Sequence, residues 1–225
     1  MRQFAEIVAL AASRKGGIAA VETLLAETPS RTPEQIAALT DDRILAAMTK
    51  RIFSAGLSHK MIEAKWPAFE AAFDRFDPAA CAFMDDERFD ALTRDASIVR
   101  NGAKIRAVQA NAAFLMDLAR EHGSAARFFA NWPDGDLVGL LDVMKRRGAY
   151  LGGDSGMRVL RDIGKPAFVT TRAVVAALIR EGVIDKAPSA KRDFAAIQAA
   201  FNTWSAQSGR DLTQISRILA MSTDD

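Results

Sequence analysis

Apolar residues recur at intervals of three and four along almost the whole chain, and strict alternation of apolar and polar positions is nearly absent. The pattern predicts an all-α protein. Helices are expected over 2–13, 17–27, 33–38, 41–55, 58–73, 78–83, 86–94, 101–122, 124–131, 136–148, 155–163, 168–181, 190–208 and 211–221. Thr32-Pro33 supplies an N-cap followed by a proline at the first helical position. Another helix opens within Ser189–Phe194, just after Pro188. Gly123, Gly148, Gly164, Gly182 and Gly209 each follow a periodic run, as C-terminal glycines do. No repeat, low-complexity tract or long linker interrupts the pattern. The most polar connection, Asp185–Asp193, leads into a last helical pair, 189–225, expected to pack back on the body.

Composition narrows the class. The 225 residues are enough for one domain or two small ones, and 49% hydrophobic with 26% charged residues is the balance of an ordinary globular protein. The N-terminal stretch Met1–Gly17 is too short and too interrupted to span a membrane or to serve as a signal peptide, and reads as an amphipathic helix. Cys81 is the single cysteine, so no internal disulfide forms, which fits a reducing, cytoplasmic setting. The only nitrogen or sulfur metal ligands, His59, His122 and Cys81, lie far apart without paired spacing, so no metal is expected. A net charge of +2 is too small to imply a nucleic-acid partner, and any basic footprint must be local.

One stretch concentrates such charge. Asp136–Arg147 reads as a helix with Leu137, Leu140, Leu141 and Met144 on one face. Ser155–Gly164 reads as a second, shorter helix with Asp154 or Ser155 as its N-cap. Between them, Gly152 and Gly153 can take positive φ, leaving backbone N–H groups free to face an anion such as a phosphate. Between residues 145 and 172 the cations Lys145, Arg146, Arg147, Arg158, Arg161, Lys165 and Arg172 are opposed only by Asp154 and Asp162. The plainer reading is a tight turn joining two packed helices, with solvated cations around it.

Four motifs occur in one order: "AGLS" at Ala55–Ser58, "FDP" at Phe76–Pro78, "DASIVRNGAKIRAVQANAAFL" at Asp95–Leu115, and "KRRG" at Lys145–Gly148. With them the chain resembles the type I 3-methyladenine DNA glycosylases of the helix-hairpin-helix superfamily, over roughly residues 40–175. The closing segment 200–222 resembles the tail of a divergent branch, and residues 1–40 match poorly. The resemblance implies a two-lobed helical bundle with a helix-hairpin-helix motif and an interlobe cleft. It also implies duplex DNA containing alkylated bases as partner, with a base flipped out of the stack for hydrolysis of its glycosidic bond. On this reading Gly152, Gly153, Asp154, Ser155, Gly156 and Arg158 grip a backbone phosphate, with Lys145, Arg146 and Arg147 beside them. The loop Ile98–Asn101 probes the duplex, supported by Arg100, Asn101 and Lys104.

Lys50–Trp66 is expected to line the base pocket. Where the family has a glutamate, Arg51 stands; where it has a stacking tryptophan, His59 stands. The family's zinc ligands are missing. Other branches of the superfamily carry a catalytic aspartate where Ala173 aligns, and Met157 lies where lyase-type relatives carry a lysine, which favours a monofunctional hydrolase without cofactor. The remaining catalytic candidate is Glu63, which shares a helix face with His59 and Trp66 at i, i+4 and i+7; Phe53 is a second aromatic wall. The plainer reading makes Trp66 a core residue and His59–Glu63 a surface pair. Asp41-Asp42, Asp85–Glu87 and Asp224-Asp225 read as caps or a solvated tail.

The expected function is therefore a DNA-repair glycosylase in a single domain over 1–225, cytoplasmic and nucleoid-associated when bound to DNA. One alternative is a DNA-binding, lesion-sensing relative with impaired catalysis. Another is a helical interaction module presenting Trp66, Phe69, Phe73 and Phe76.

Overall fold

The computed structural model describes residues 1–223, so the Asp224-Asp225 tail lies outside the described residues. Fourteen α-helices and two 3-10 turns make up the described chain, and no strand occurs among the described residues. The predicted starts are realised chemically. The Thr32 hydroxyl accepts from the Gln35 N–H while the Gln35 side chain accepts from the Thr32 N–H at 3.0 Å, a reciprocal cap on α3 (Pro33–Ala37). The Asp193 carboxylate accepts from the N–H groups of Ser189 and Ala190 at the start of α13 (Lys191–Ser208). Gly123 and Gly209 close α8 (Gly102–His122) and α13 in the left-handed conformation.

One boundary differs substantially from expectation. The stretch 168–171 is extended, and α12 begins only at Arg172 (Arg172–Arg180). Phe168 and Val169 are buried there, and the N–H groups of Ala167 and Val169 donate to the hydroxyls of Thr213 and Ser216 on α14 (Leu212–Met221) at 3.0 and 3.2 Å. Those hydroxyls satisfy backbone that a helix would otherwise have to satisfy itself. Thr171 then caps α12.

The chain divides into two compact units. Among the described residues, one contains 1–31, 133–140 and 166–223. In it α1 (Phe4–Lys15), α2 (Ile18–Ala26) and the C-terminal helices surround an aromatic core. Phe168 meets Phe201 at 4.6 Å, Phe201 meets Trp204 at 5.8 Å, and Trp204 meets Phe4 at 6.2 Å between ring centroids. Glu181, nearly inaccessible, accepts from the Arg2 guanidinium, the Arg2 N–H and the Arg180 Nε.

The other unit contains residues 32–132 and 141–165. Its centre is α8, packed by α4 (Asp41–Ser54), α6 (Pro78–Ala82), α7 (Asp86–Arg94) and α9 (Ala125–Asn131). Phe69, Phe73 and Phe76 are fully buried and stack in near-parallel contact, with Trp66 of α5 (His59–Ala72) lying flat on Phe69 and Phe76. Phe69, Phe73 and Phe76 are core, which corrects the reading of the series as a protein-contact surface: three of its four rings are fully buried and Trp66 is half-buried against them. Asp41 caps α9 from a neighbouring helix, accepting from the Ala125 and Ala126 N–H groups, and Asp85 caps α7.

The glycine stretch joins α10 (Leu137–Arg147) to α11 (Asp154–Asp162). The short helix starts one residue earlier than expected, because Gly153 itself is the N-cap at φ 58° and ψ −134°. Asn111 of α8, fully buried, grips this turn. Its Nδ2 donates to the Ala149 carbonyl at 3.0 Å and its Oδ1 accepts from the Ala149 N–H at 2.8 Å. Gly156 is buried against the turn, where a Cβ would sit 2.4 Å from the Leu151 carbonyl oxygen.

Two outcomes follow from this packing. Gly156→Ala forces a methyl into backbone that cannot yield, and is expected to lower stability by about 1–3 kcal/mol in urea titration. Burial alone would raise the Glu181 carboxyl; the hydrogen bonds from Arg180 and the Arg2 N–H, with both positive charges, outweigh it and hold the group below the usual carboxylate range. Its contribution is then complete above the unfolded value of about 4.3 and is lost as pH falls through the lower folded value. Glu181→Gln should be less stable at pH 7 and show a shallower decline of the urea midpoint between neutral pH and pH about 3.5.

Candidate DNA-repair site

The second unit holds a cavity of about 250 Å³ lined by Arg51, Ser54, Ala55, His59, Asp154, Ser155 and Arg158. Three elements supply these residues. Arg51 and Ser54 end α4, His59 begins α5, and Asp154, Ser155 and Arg158 form the first turns of α11. The fold thus brings together two residues expected in the base pocket, Arg51 and His59, and three expected at the phosphate grip, Asp154, Ser155 and Arg158.

Charge in the cavity is paired. Arg51 binds Asp162, near the end of α11, through both Nε and Nη2. That hydrogen-bonded carboxylate, outweighing the effect of burial, holds the Arg51 guanidinium above its usual range, with further support from the charges of Asp154 and Glu63. Arg158 Nε donates to Asp154 at 2.6 Å, one turn apart on α11. Asp162 was not among the sequence candidates. Its signal was position: an acid in the last turn of a helix opposes the helix dipole and calls for a cationic partner. Asn111 was missed as well, although an amide on the apolar face of α8 is a buried polar group that must find partners.

The other candidates fall elsewhere. Glu63 does not line the cavity; it is exposed and paired with Lys50 at 2.7 Å. Trp66 is held in the aromatic stack, its Nε1 donating to Glu70 at 3.1 Å, and Lys50 lies 5.1 Å from its ring centroid. Phe53 is fully buried with its ring edge-on to Phe69 at 4.7 Å, and neither Phe53 nor Trp66 lines the cavity. Gly156 is a packing glycine rather than a contact to an external strand, because the Leu151 carbonyl covers it.

Of the expected DNA contacts, Asn101 caps α8 by accepting from the Lys104 N–H. Lys104 donates its ammonium to the carbonyls of Phe53 and Ala55 at the end of α4, and burial pushes its pKa down. Arg147 forks onto Glu121 at 2.9 and 2.6 Å and lies over Phe114. Arg146 pairs with Asp142 at 3.0 Å. Lys165 is buried and donates to the Trp132 carbonyl. The basic stretch is therefore far less unopposed than its local sequence implies, because acids from outside the 145–172 window reach it. Among the described residues, Lys145 and Arg100 are exposed cations without an ion pair.

Gly152 and Gly153 remain accessible. Lys145 lays its methylene stem over Gly152, where a Cβ would come within 3.3 Å, and nothing lies within 4 Å of a Cβ built on Gly153. The adjacent Tyr150 is 57% exposed at φ 59°.

Comparison with known proteins agrees with the resemblance read from the sequence. Residues 35–139 match the methyladenine glycosylase family model. DNA-3-methyladenine glycosylase 1 of Escherichia coli (strain K12) is 40% identical over 58 residues, which cover 26% of this chain and 31% of that protein, so the chain spans about a third of the length of this curated relative. A structure of 3-methyladenine DNA glycosylase I from Staphylococcus aureus, a study of 3-methyladenine recognition, superposes with a TM-score of 0.50 at 22% identity, covering 56% of this chain and 77% of that one. A mutant of the 3-methyladenine DNA glycosylase I from that organism gives 0.51 at 20% identity, covering 68% and 86%. The two structures share the all-α fold, and the stretch 35–139, a little under half of the chain, is similar in sequence to the methyladenine glycosylase family.

Proposed function

We propose that this protein is a DNA-repair glycosylase that hydrolyses the N-glycosidic bond of alkylated purines, such as 3-methyladenine, in duplex DNA, without metal or cofactor. The observation that carries this reading is the cavity beside an accessible glycine turn, within a unit whose 35–132 stretch is similar to the methyladenine glycosylase family. Backbone N–H groups at the start of α11, with Lys145 nearby, suit a phosphate of the DNA strand. A base extruded from the stack then has the cavity within reach.

In hydrolysis the bond to the sugar breaks with positive charge developing on the sugar, and water adds there. A nearby carboxylate stabilises that charge or orients the water. Asp154 is the carboxylate that lines the cavity, and it takes over the role that spacing alone gave to Glu63. An alkylated purine is already cationic and leaves as a neutral base, so the demand on that carboxylate is small.

One observation favours a second reading, a lesion-binding relative without catalysis. At the family's glutamate position stands Arg51, a fixed positive charge committed to Asp162, and a cationic purine is repelled by it.

Release of 3-methyladenine from methylated duplex DNA, followed by chromatography, separates the two. The glycosylase reading expects release by the wild type, a loss of at least about tenfold in Asp154→Asn, and little change in Glu63→Gln. No release alongside retained duplex binding supports the lesion-binding relative. Binding itself should weaken steeply with salt. Lys145→Ala and Arg100→Ala are each expected to reduce the slope of log affinity against log salt by roughly 0.9, whereas Arg147→Ala should act mainly on stability because its charge is spent on Glu121.

A further inference from the structure

Tyr150, the only tyrosine of the chain, sits at the tip of the turn between α10 and α11 with φ 59°. A bulky side chain in the left-handed region is a genuine conformational outlier, and such strain persists only where the surroundings over-determine it. They do so here from both sides. Before Tyr150, Asn111 holds the Ala149 peptide at both its N–H and its carbonyl. After it, Leu151 is fully buried and its carbonyl is wedged against Gly156. Gly148 completes the vice, since a Cβ there would lie 2.6 Å from Leu151 Cδ1 and 2.9 Å from the Met144 carbonyl.

The side chain is not part of the packed core. It is 57% exposed and takes part in none of the ring contacts of either aromatic core. Glycine or asparagine would adopt the same backbone at lower cost. The residue is an exposed aromatic ring on a constrained backbone, two residues before the accessible Gly152-Gly153 pair and five after Lys145, an exposed cation without an ion pair. An exposed ring beside a phosphate-attracting surface is the arrangement by which proteins stack on nucleobases that have left the duplex stack.

We infer that Tyr150 is a positioning residue that stacks on an unpaired nucleobase, so that the turn selects DNA containing an unstacked nucleotide over fully paired duplex. The inference rests on the DNA reading above and adds to it a source of discrimination separate from the cavity. Tyr150 does not line the cavity.

Fluorescence anisotropy with two end-labelled duplexes, one fully paired and one with a single unpaired base, tests it. The wild type is expected to bind the second about tenfold more tightly, within the range for one base–aromatic stack. Tyr150→Gly, which relieves the backbone, should melt no lower than the wild type and bind both duplexes with the paired-duplex affinity. Tyr150→Phe should retain the preference. Equal affinity of the wild type for both duplexes, or a preference that survives in Tyr150→Gly, overturns the inference and leaves the glycosylase reading standing. Failure of the wild type to bind either duplex overturns both.

Discussion

The turn between α10 and α11 depends on one side chain, the carboxamide of Asn111. Buried inside the central helix α8, it satisfies the N–H and the carbonyl of Ala149 together, so that neither the amide nor the peptide is left unpaired in a dry interior. Everything distal to it follows from that anchor. Leu151 is buried, Gly156 can meet its carbonyl only because it lacks a side chain, and α11 starts at Asp154 with Gly153 as its N-cap. The clamp joins the Asp95–Leu115 segment to the glycine turn, two segments about forty residues apart.

Around that frame the site is assembled by electrostatic pairing. Arg51 and Asp162 join the end of α4 to the end of α11, and Arg158 and Asp154 join successive turns of α11. The cavity between them is therefore close to neutral, although its lining carries two guanidinium groups. A pocket of this kind discriminates by which pair an incoming group can separate. A cation is drawn to Asp154 and Asp162 only as far as Arg158 and Arg51 allow. Arg51 therefore acts in the cavity as half of a pair with Asp162 and not as a lone charge.

Much of the architecture was legible in the chain. The helix positions, the Thr32 cap, and the glycine stops at Gly123 and Gly209 are local phenomena, written in spacing and capping chemistry within one or two turns. The one element misread, 168–171, failed because its backbone partners are the hydroxyls of Thr213 and Ser216, more than forty residues away. The site was legible in part. Arg51, His59, Asp154, Ser155 and Arg158 do share a cavity, while Phe53 and Trp66 turn inward to the aromatic core and Glu63 turns to Lys50. Residues on one helical face have the same bearing, yet a face is wide enough to divide between core and solvent.

The sequence by itself determined the fold class, the order of the helices, the glycine turn and the family resemblance, because each rests on periodicity, capping or a contiguous motif. Only the tertiary structure decided which charges remain available. Arg147 is spent on Glu121 and Arg51 on Asp162, and Lys104 is spent on carbonyls of α4, each through a partner remote in the chain. Likewise only the fold could show that Tyr150 is strained and exposed, since its backbone angle is imposed by Asn111 and Leu151 rather than by its neighbours' propensities. Short-range order is coded in spacing along the chain. Ion pairing and strain depend on distances in space, which spacing does not specify.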